Sequence, residues 1–165
     1  MKKYVIITMI SLVISLNYDN TSAKRKKAPN FALFNMKGRL VSLSKLIRQK
    51  NIILSFWASY CVPCKKEMPQ LVQIEKQYRE RKNLRLIFIG IDKEGKKIAE
   101  PMLNEMGIEN ECLFDIYQIT AKKYIPKLKI PATFLINKRG YIIFKAIGYK
   151  EETIANLEKA IKRLR

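Results

Sequence analysis

Two hydrophobic periods run along this chain. Residues 52–58 (Ile-Ile-Leu-Ser-Phe-Trp-Ala) are almost continuously apolar, and residues 84–91 form a second such run. Runs of this length predict strands buried on both faces. Between them Met68, Leu71, Ile74 and Tyr78 recur at helical spacing, which predicts a helix over residues 61–81 with that stripe turned inward. Pro69 lies within it and predicts a kink. A second helix is expected over 96–106, begun or bent by Pro101, then a short strand at 112–114 and a helix at 120–124. Residues 133–136 and 141–147 flank Asn137-Lys138-Arg139-Gly140 and predict a hairpin. Ile154, Leu157, Ile161 and Leu164 mark one face of a closing helix over 151–164. At the front, extended segments flank Met36-Lys37-Gly38-Arg39 and predict another hairpin, followed by a short helix over 45–48 capped by Ser44. The order is a hairpin, a βαβ unit and a ββα ending around a mixed sheet, an α/β class of fold.

Composition sets the setting of this fold. The 165 residues suit one domain, and 48% hydrophobic content supports a true core. Lys2 and Lys3, an apolar stretch from residue 4 to 16, and Thr21-Ser22-Ala23 read as a secretion signal over residues 1–23, with residues 24–165 as the domain. The stretch falls short of the about 20 residues of a standard membrane span; the alternative is an uncleaved N-terminal anchor. Either way the expected location is periplasmic or otherwise extracytoplasmic, close to a membrane if the segment is kept. The net charge of +19, from 33 basic and 14 acidic residues, would suit an anionic surface or acidic partners. The basic residues are scattered, however, and Lys24-Arg25-Lys26-Lys27 is the only dense run. That pattern reads as solvated faces and a basic linker, with no nucleic-acid partner expected.

Candidate chemistry concentrates at Cys61-Val62-Pro63-Cys64, between the first buried strand and the helix that follows. A thiol at a helix start meets unpaired backbone N–H groups and the positive end of the helix dipole, which favour an anion. The thiolate is the nucleophile in disulfide exchange, and the second thiol, one turn on, can close a ring with the first. Lys65 and Lys66 add positive charge. A structural zinc site wants four Cys or His ligands; with three Cys and no His, no metal site is expected. Haem attachment needs a His after the second Cys, where this chain has Lys65. An inert staple is the plain alternative, but so short a loop gains little entropy from closure. Cys112, the odd thiol, sits beside Leu113 and Phe114 and reads as a buried small residue.

Several segments together resemble the thioredoxin superfamily, and more narrowly the TlpA/ResA-like exported thiol:disulfide oxidoreductases. They are residues 28–33 (Ala-Pro-Asn-Phe-Ala-Leu), 38–43 (Gly-Arg-Leu-Val-Ser-Leu), 56–69 (Phe-Trp-Ala-Ser-Tyr-Cys-Val-Pro-Cys-Lys-Lys-Glu-Met-Pro) and 130–136 (Ile-Pro-Ala-Thr-Phe-Leu-Ile). The resemblance implies a three-layer thioredoxin-like fold, a mixed sheet flanked by helices with an added N-terminal β-hairpin. It implies that Cys61 attacks and Cys64 resolves, the redox-active Cys61–Cys64 disulfide being the only redox group. It implies that Pro131 is a cis-proline packed against the dithiol, leaving the Ile130 backbone free to pair with an extended substrate. Trp57, Tyr60, Val62 and Pro63 complete the substrate platform. The implied partners are a disulfide-containing exported client, for example an apocytochrome c or another cysteine protein, and a membrane thiol:disulfide electron donor. The protein itself is expected to be a monomer.

Two departures sharpen the expectation. Ordinary thioredoxins carry a buried Asp on the strand before the site, where this chain has Ser55. Relatives of the TlpA/ResA kind often supply an acid three residues after the second Cys, and Glu67 stands there. A partly desolvated carboxyl near two sulfurs should have a raised pKa and move the proton that exchange requires. Tyr60 stands where many relatives carry Trp, which keeps an aromatic face. The competing readings are a thiol peroxidase of the peroxiredoxin type and a non-enzymatic thioredoxin-fold binding module. The first would want Thr or Ser three residues before the attacking Cys and Pro seven before; here those are Ala58 and Leu54.

Overall fold

A computed structural model describes residues 26–164; the expected signal segment, residues 1–23, lies outside them. Seven strands form one mixed sheet: β1 (Ala32–Asn35), β2 (Leu40–Ser42), β3 (Asn51–Trp57), β4 (Leu84–Gly90), β5 (Glu111–Phe114), β6 (Ala132–Ile136) and β7 (Ile142–Ile147). Their spatial order is β2-β1-β5-β4-β3-β6-β7. Strands β3, β4 and β5 run parallel, and the N-terminal hairpin and the β6–β7 hairpin extend the two sides antiparallel. Among the described residues four helices connect them, α1 (Leu43–Leu46), α2 (Val62–Tyr78), α3 (Lys96–Glu105) and α4 (Ile119–Tyr124), and α5 (Glu152–Lys162) follows β7. This is the thioredoxin-like arrangement, with the added hairpin in place.

Every residue of β3 is buried, as befits a strand covered on both faces. Side chains alternate across the sheet, so Ser55 and its β6 partner Thr133 face one side, and Phe56 and Phe134 the other. Tyr124 of α4 packs on the Phe56 and Phe134 rings, with centroids 5.2 Å from each. Helix α2 covers the Ser55–Thr133 side with Cys64, Glu67, Met68, Leu71, Val72, Ile74 and Tyr78. The Tyr78 hydroxyl donates to Glu158 at 2.7 Å and ties α2 to α5 on that same layer.

Two local readings are corrected. The short helix spans Leu43–Leu46, two residues earlier than the 45–48 that a Ser44 cap implied, and its N-cap Ser42 makes no side-chain capping bond. Ser44 instead receives its support from outside: its N–H donates to Asn30 Oδ1 at 3.1 Å. The helix after the site stops at Tyr78, with Arg79 as its C-cap, so residues 79–81 form a turn and not helix. Pro69 is accommodated inside α2 on its exposed face.

In the parallel part of the sheet Trp57, Gly90 and Phe114 are register partners. The loops after β3, β4 and β5 therefore leave the sheet at one edge, the usual location of a site in such sheets.

Candidate active site

The turn after β3 closes with a hydrogen bond from Cys61 N–H to Ala58 C=O at 3.0 Å and delivers Cys61 as the N-cap of α2. Val62 and Pro63 occupy the first helical positions, where proline's missing N–H costs nothing. Cys61 and Cys64 are joined as a disulfide with Cα atoms 5.3 Å apart. The Cys64 N–H donates to Cys61 Sγ at 3.2 Å. That donor, shared with the Cys61 carbonyl at 3.1 Å, stands ready to stabilise a Cys61 thiolate after reduction.

Behind the pair lies a buried polar group. Glu67, one turn beyond Cys64, is only 1% exposed. Thr133 donates its hydroxyl to Glu67 Oε2 at 2.9 Å, and the Ser55 hydroxyl lies 3.5 Å from that of Thr133. Burial pushes the Glu67 carboxyl up to about 7, against the opposing pull of the Thr133 hydrogen bond. A carboxyl poised near neutrality can both give and take a proton. Ser55 on the strand is a hydroxyl beside Thr133, and the buried acid at this place comes from helix α2.

Around the disulfide the expected platform divides in two. Tyr60 and Val62 are 70% and 62% exposed, with Pro63 exposed and Ile130 half-buried. These are available to another chain. The Ile130–Pro131 peptide bond is cis and Pro131 is buried. Trp57 is not on this surface: it is 0% exposed, a core residue that supports the loop from below, so its expected contact with substrate is replaced by packing. Leu54 and Ala58, where a peroxidatic site would want Pro and a hydroxyl, are buried apolar residues. Cys112 is free and fully buried, and burial pushes its thiol up to about 12. Among the described residues no group of three or more His, Cys, Asp or Glu is gathered as metal ligands would be.

One residue beside the site escaped the sequence reading. Asp92, in the loop after β4, directs its carboxylate at Ser59, two residues before Cys61. A partner 33 positions away leaves no local motif, and only its place just past an apolar strand could have drawn notice.

Fold and site together define a thiol:disulfide oxidoreductase: a thioredoxin-like sheet presenting a Cys-x-x-Cys disulfide at a helix start. Comparison with known proteins agrees. The chain belongs to the AhpC/TSA family, whose model matches residues 25–145. It is similar to the thiol-disulfide oxidoreductase ResA of Bacillus thuringiensis (strain Al Hakam), 31% identical over 139 residues that cover 84% of this chain and 77% of the relative. Among solved structures it is similar to a Chlorobium tepidum chain assigned as a thiol:disulfide interchange protein DsbE, with a TM-score of 0.75 and 28% identity over 84% of this chain and 94% of that one. A thiol-disulfide oxidoreductase from Bacteroides fragilis matches with a TM-score of 0.69 and 27% identity, covering 81% and 98%.

Proposed function

We propose that the protein reduces disulfides in exported proteins, with apocytochromes c and other extracytoplasmic cysteine proteins as the client class. The observation that carries this reading is the Cys61–Cys64 disulfide at the N-terminus of α2 with a protonatable Glu67 buried behind it. In the working direction the reduced Cys61 thiolate attacks one sulfur of a client disulfide. A Cys61–client mixed disulfide forms and the client's other sulfur leaves as a thiolate, which takes up a proton. Cys64, losing its proton to Glu67, then attacks Cys61 Sγ; the Cys61–Cys64 bond forms and the client leaves with both sulfurs reduced. Two electrons pass from the protein to the client, and a membrane thiol:disulfide donor restores the dithiol. Ile130, Tyr60, Val62 and Pro63 offer the client its backbone and side-chain contacts.

The location follows from the same reading. In an oxidising compartment a dithiol stays reduced only if electrons are supplied, and the basic start and apolar stretch of residues 1–23 support export, as a cleaved signal or as an anchor that keeps the domain near its donor. The test is a Cys64→Ala variant expressed in cells. It should accumulate covalent complexes through Cys61, visible on non-reducing gels and absent from the Cys61→Ala, Cys64→Ala double variant. A binding module with a permanent disulfide would trap nothing, and that result would sink the reading.

A further inference from the structure

We propose that Asp92 is a positioning residue for the redox reaction, acting through Ser59 to hold Cys61 at the start of α2. Asp92 is buried, 5% exposed. Among the described residues its side-chain hydrogen bonds all come from one residue: Ser59 N–H at 3.1 Å to Oδ1 and 2.9 Å to Oδ2, and Ser59 Oγ–H at 2.7 Å to Oδ1. A buried carboxylate is costly unless its oxygens are satisfied, and here the satisfaction is drawn wholly from the active loop.

The loop offers few other restraints. It spans three residues, from Ala58 to Tyr60, between the last residue before it on β3 and the N-cap Cys61. Inside, the Cys61 N–H to Ala58 C=O bond closes the turn. Outside, Tyr60 is largely exposed. The Asp92 clamp is therefore what ties the middle of the turn to the rest of the sheet edge. Asp92 is itself fixed: its own carbonyl accepts Gly95 N–H at 3.1 Å, and the preceding Ile91 N–H donates to Trp57 C=O at 3.0 Å. Attack on a disulfide is sensitive to sub-ångström placement of the thiolate, and the benefit of the helix N-terminus fades within a turn. Holding Ser59 thus holds Cys61 where the Cys64 N–H reaches its sulfur.

The inference rests on Cys61 being the attacking thiol, but its test needs no client. The reduced full-length protein is alkylated with iodoacetamide across a pH series and the modified cysteine is identified by mass. Cys112, fully buried, stays silent. Asp92→Ala should raise the midpoint of Cys61 alkylation by about half a pH unit and slow alkylation at neutral pH roughly threefold. Asp92→Asn, which keeps an oxygen on Ser59 but not the charge, should not raise it. If Asp92 acted only as a charge, both variants would lower the midpoint equally; that result, or an Asp92→Ala midpoint equal to the parent's, would overturn the proposal. Should Asp92→Ala not fold, Ser59→Ala, which removes the 2.7 Å hydroxyl bond and keeps the two from the backbone N–H, should raise the midpoint by a smaller step and Ser59→Thr should not; a Ser59→Ala midpoint below the parent's refutes the clamp. Preferential alkylation of Cys64 in the parent protein would count against the functional reading and not against the clamp.

Discussion

Glu67 shows at the scale of one residue how burial tunes an acid. Its folded-state carboxyl is raised to about 7 by desolvation, so on raising pH the unfolded chain loses this proton first. The associated stability is fully present below about pH 4.5 and is lost as pH climbs through 7. The loss amounts to roughly 3 kcal/mol at most. Urea unfolding of the oxidised protein should show that decline, and Glu67→Gln should flatten it. The same variant should slow disulfide exchange roughly a hundredfold near neutrality and remove the inflection near pH 7. Thr133→Val removes a hydrogen bond that favours the ionised form, so it should move that inflection to higher pH; an unmoved or lowered inflection would contradict the assignment. At this scale the Cys61–Cys64 pairing and the buried place of Glu67 were legible because the spacing of a helix start, a second thiol one turn on and an acid one turn further is local. Asp92 was not, because its meaning depends on Ser59, which only the sheet brings to it. Trp57 was misplaced for a related reason: an aromatic beside a site reads alike whether it faces a client or the core.

Among the elements, β3 and α2 carry the site, one supplying a fully buried platform and the other its oriented N–H groups. Leu71, completely buried on the inner face of α2, is a point where packing can be tested without touching the chemistry. Leu71→Ala should lower stability by about 3 kcal/mol in denaturant melts while leaving the pH profile of Cys61 alkylation in place. A shifted profile in the folded variant would mean that α2 does not hold the thiol independently of its packing. The long elements were readable because unbroken apolar runs and a 3.6-residue stripe are strong signals over 7 to 17 residues. The four-residue α1 was misjudged by two positions at its start: a serine near a turn is equally suited to N-cap and to first-turn positions, and here Ser42 takes the cap while Ser44 N–H donates to Asn30.

For the whole molecule, the surplus of 33 basic over 14 acidic residues leaves self-repulsion that counter-ions should relieve. Raising salt from low to physiological strength should raise the melting temperature by a few degrees, about 1 kcal/mol for a chain of this size; a fall would mean that the ion pairs outweigh the repulsion. The class of fold was legible from the order of hairpin, βαβ and ββα segments, and the N-terminal hairpin was expected from its Gly turn. The spatial order of strands was not, since placing β5 between β1 and β4 depends on pairings between distant segments. What the fold accomplishes is to present one disulfide at an edge where three loops meet. The claim that this bond is a working reductase couple is tested most directly by titrating the folded protein against a dithiol–disulfide buffer and quantifying Cys61–Cys64 by thiol labelling. A single two-electron transition near about −270 mV, the thioredoxin range, is the predicted result. A bond that stays closed in excess dithiol with the fold intact, or a midpoint near about −120 mV, would contradict it.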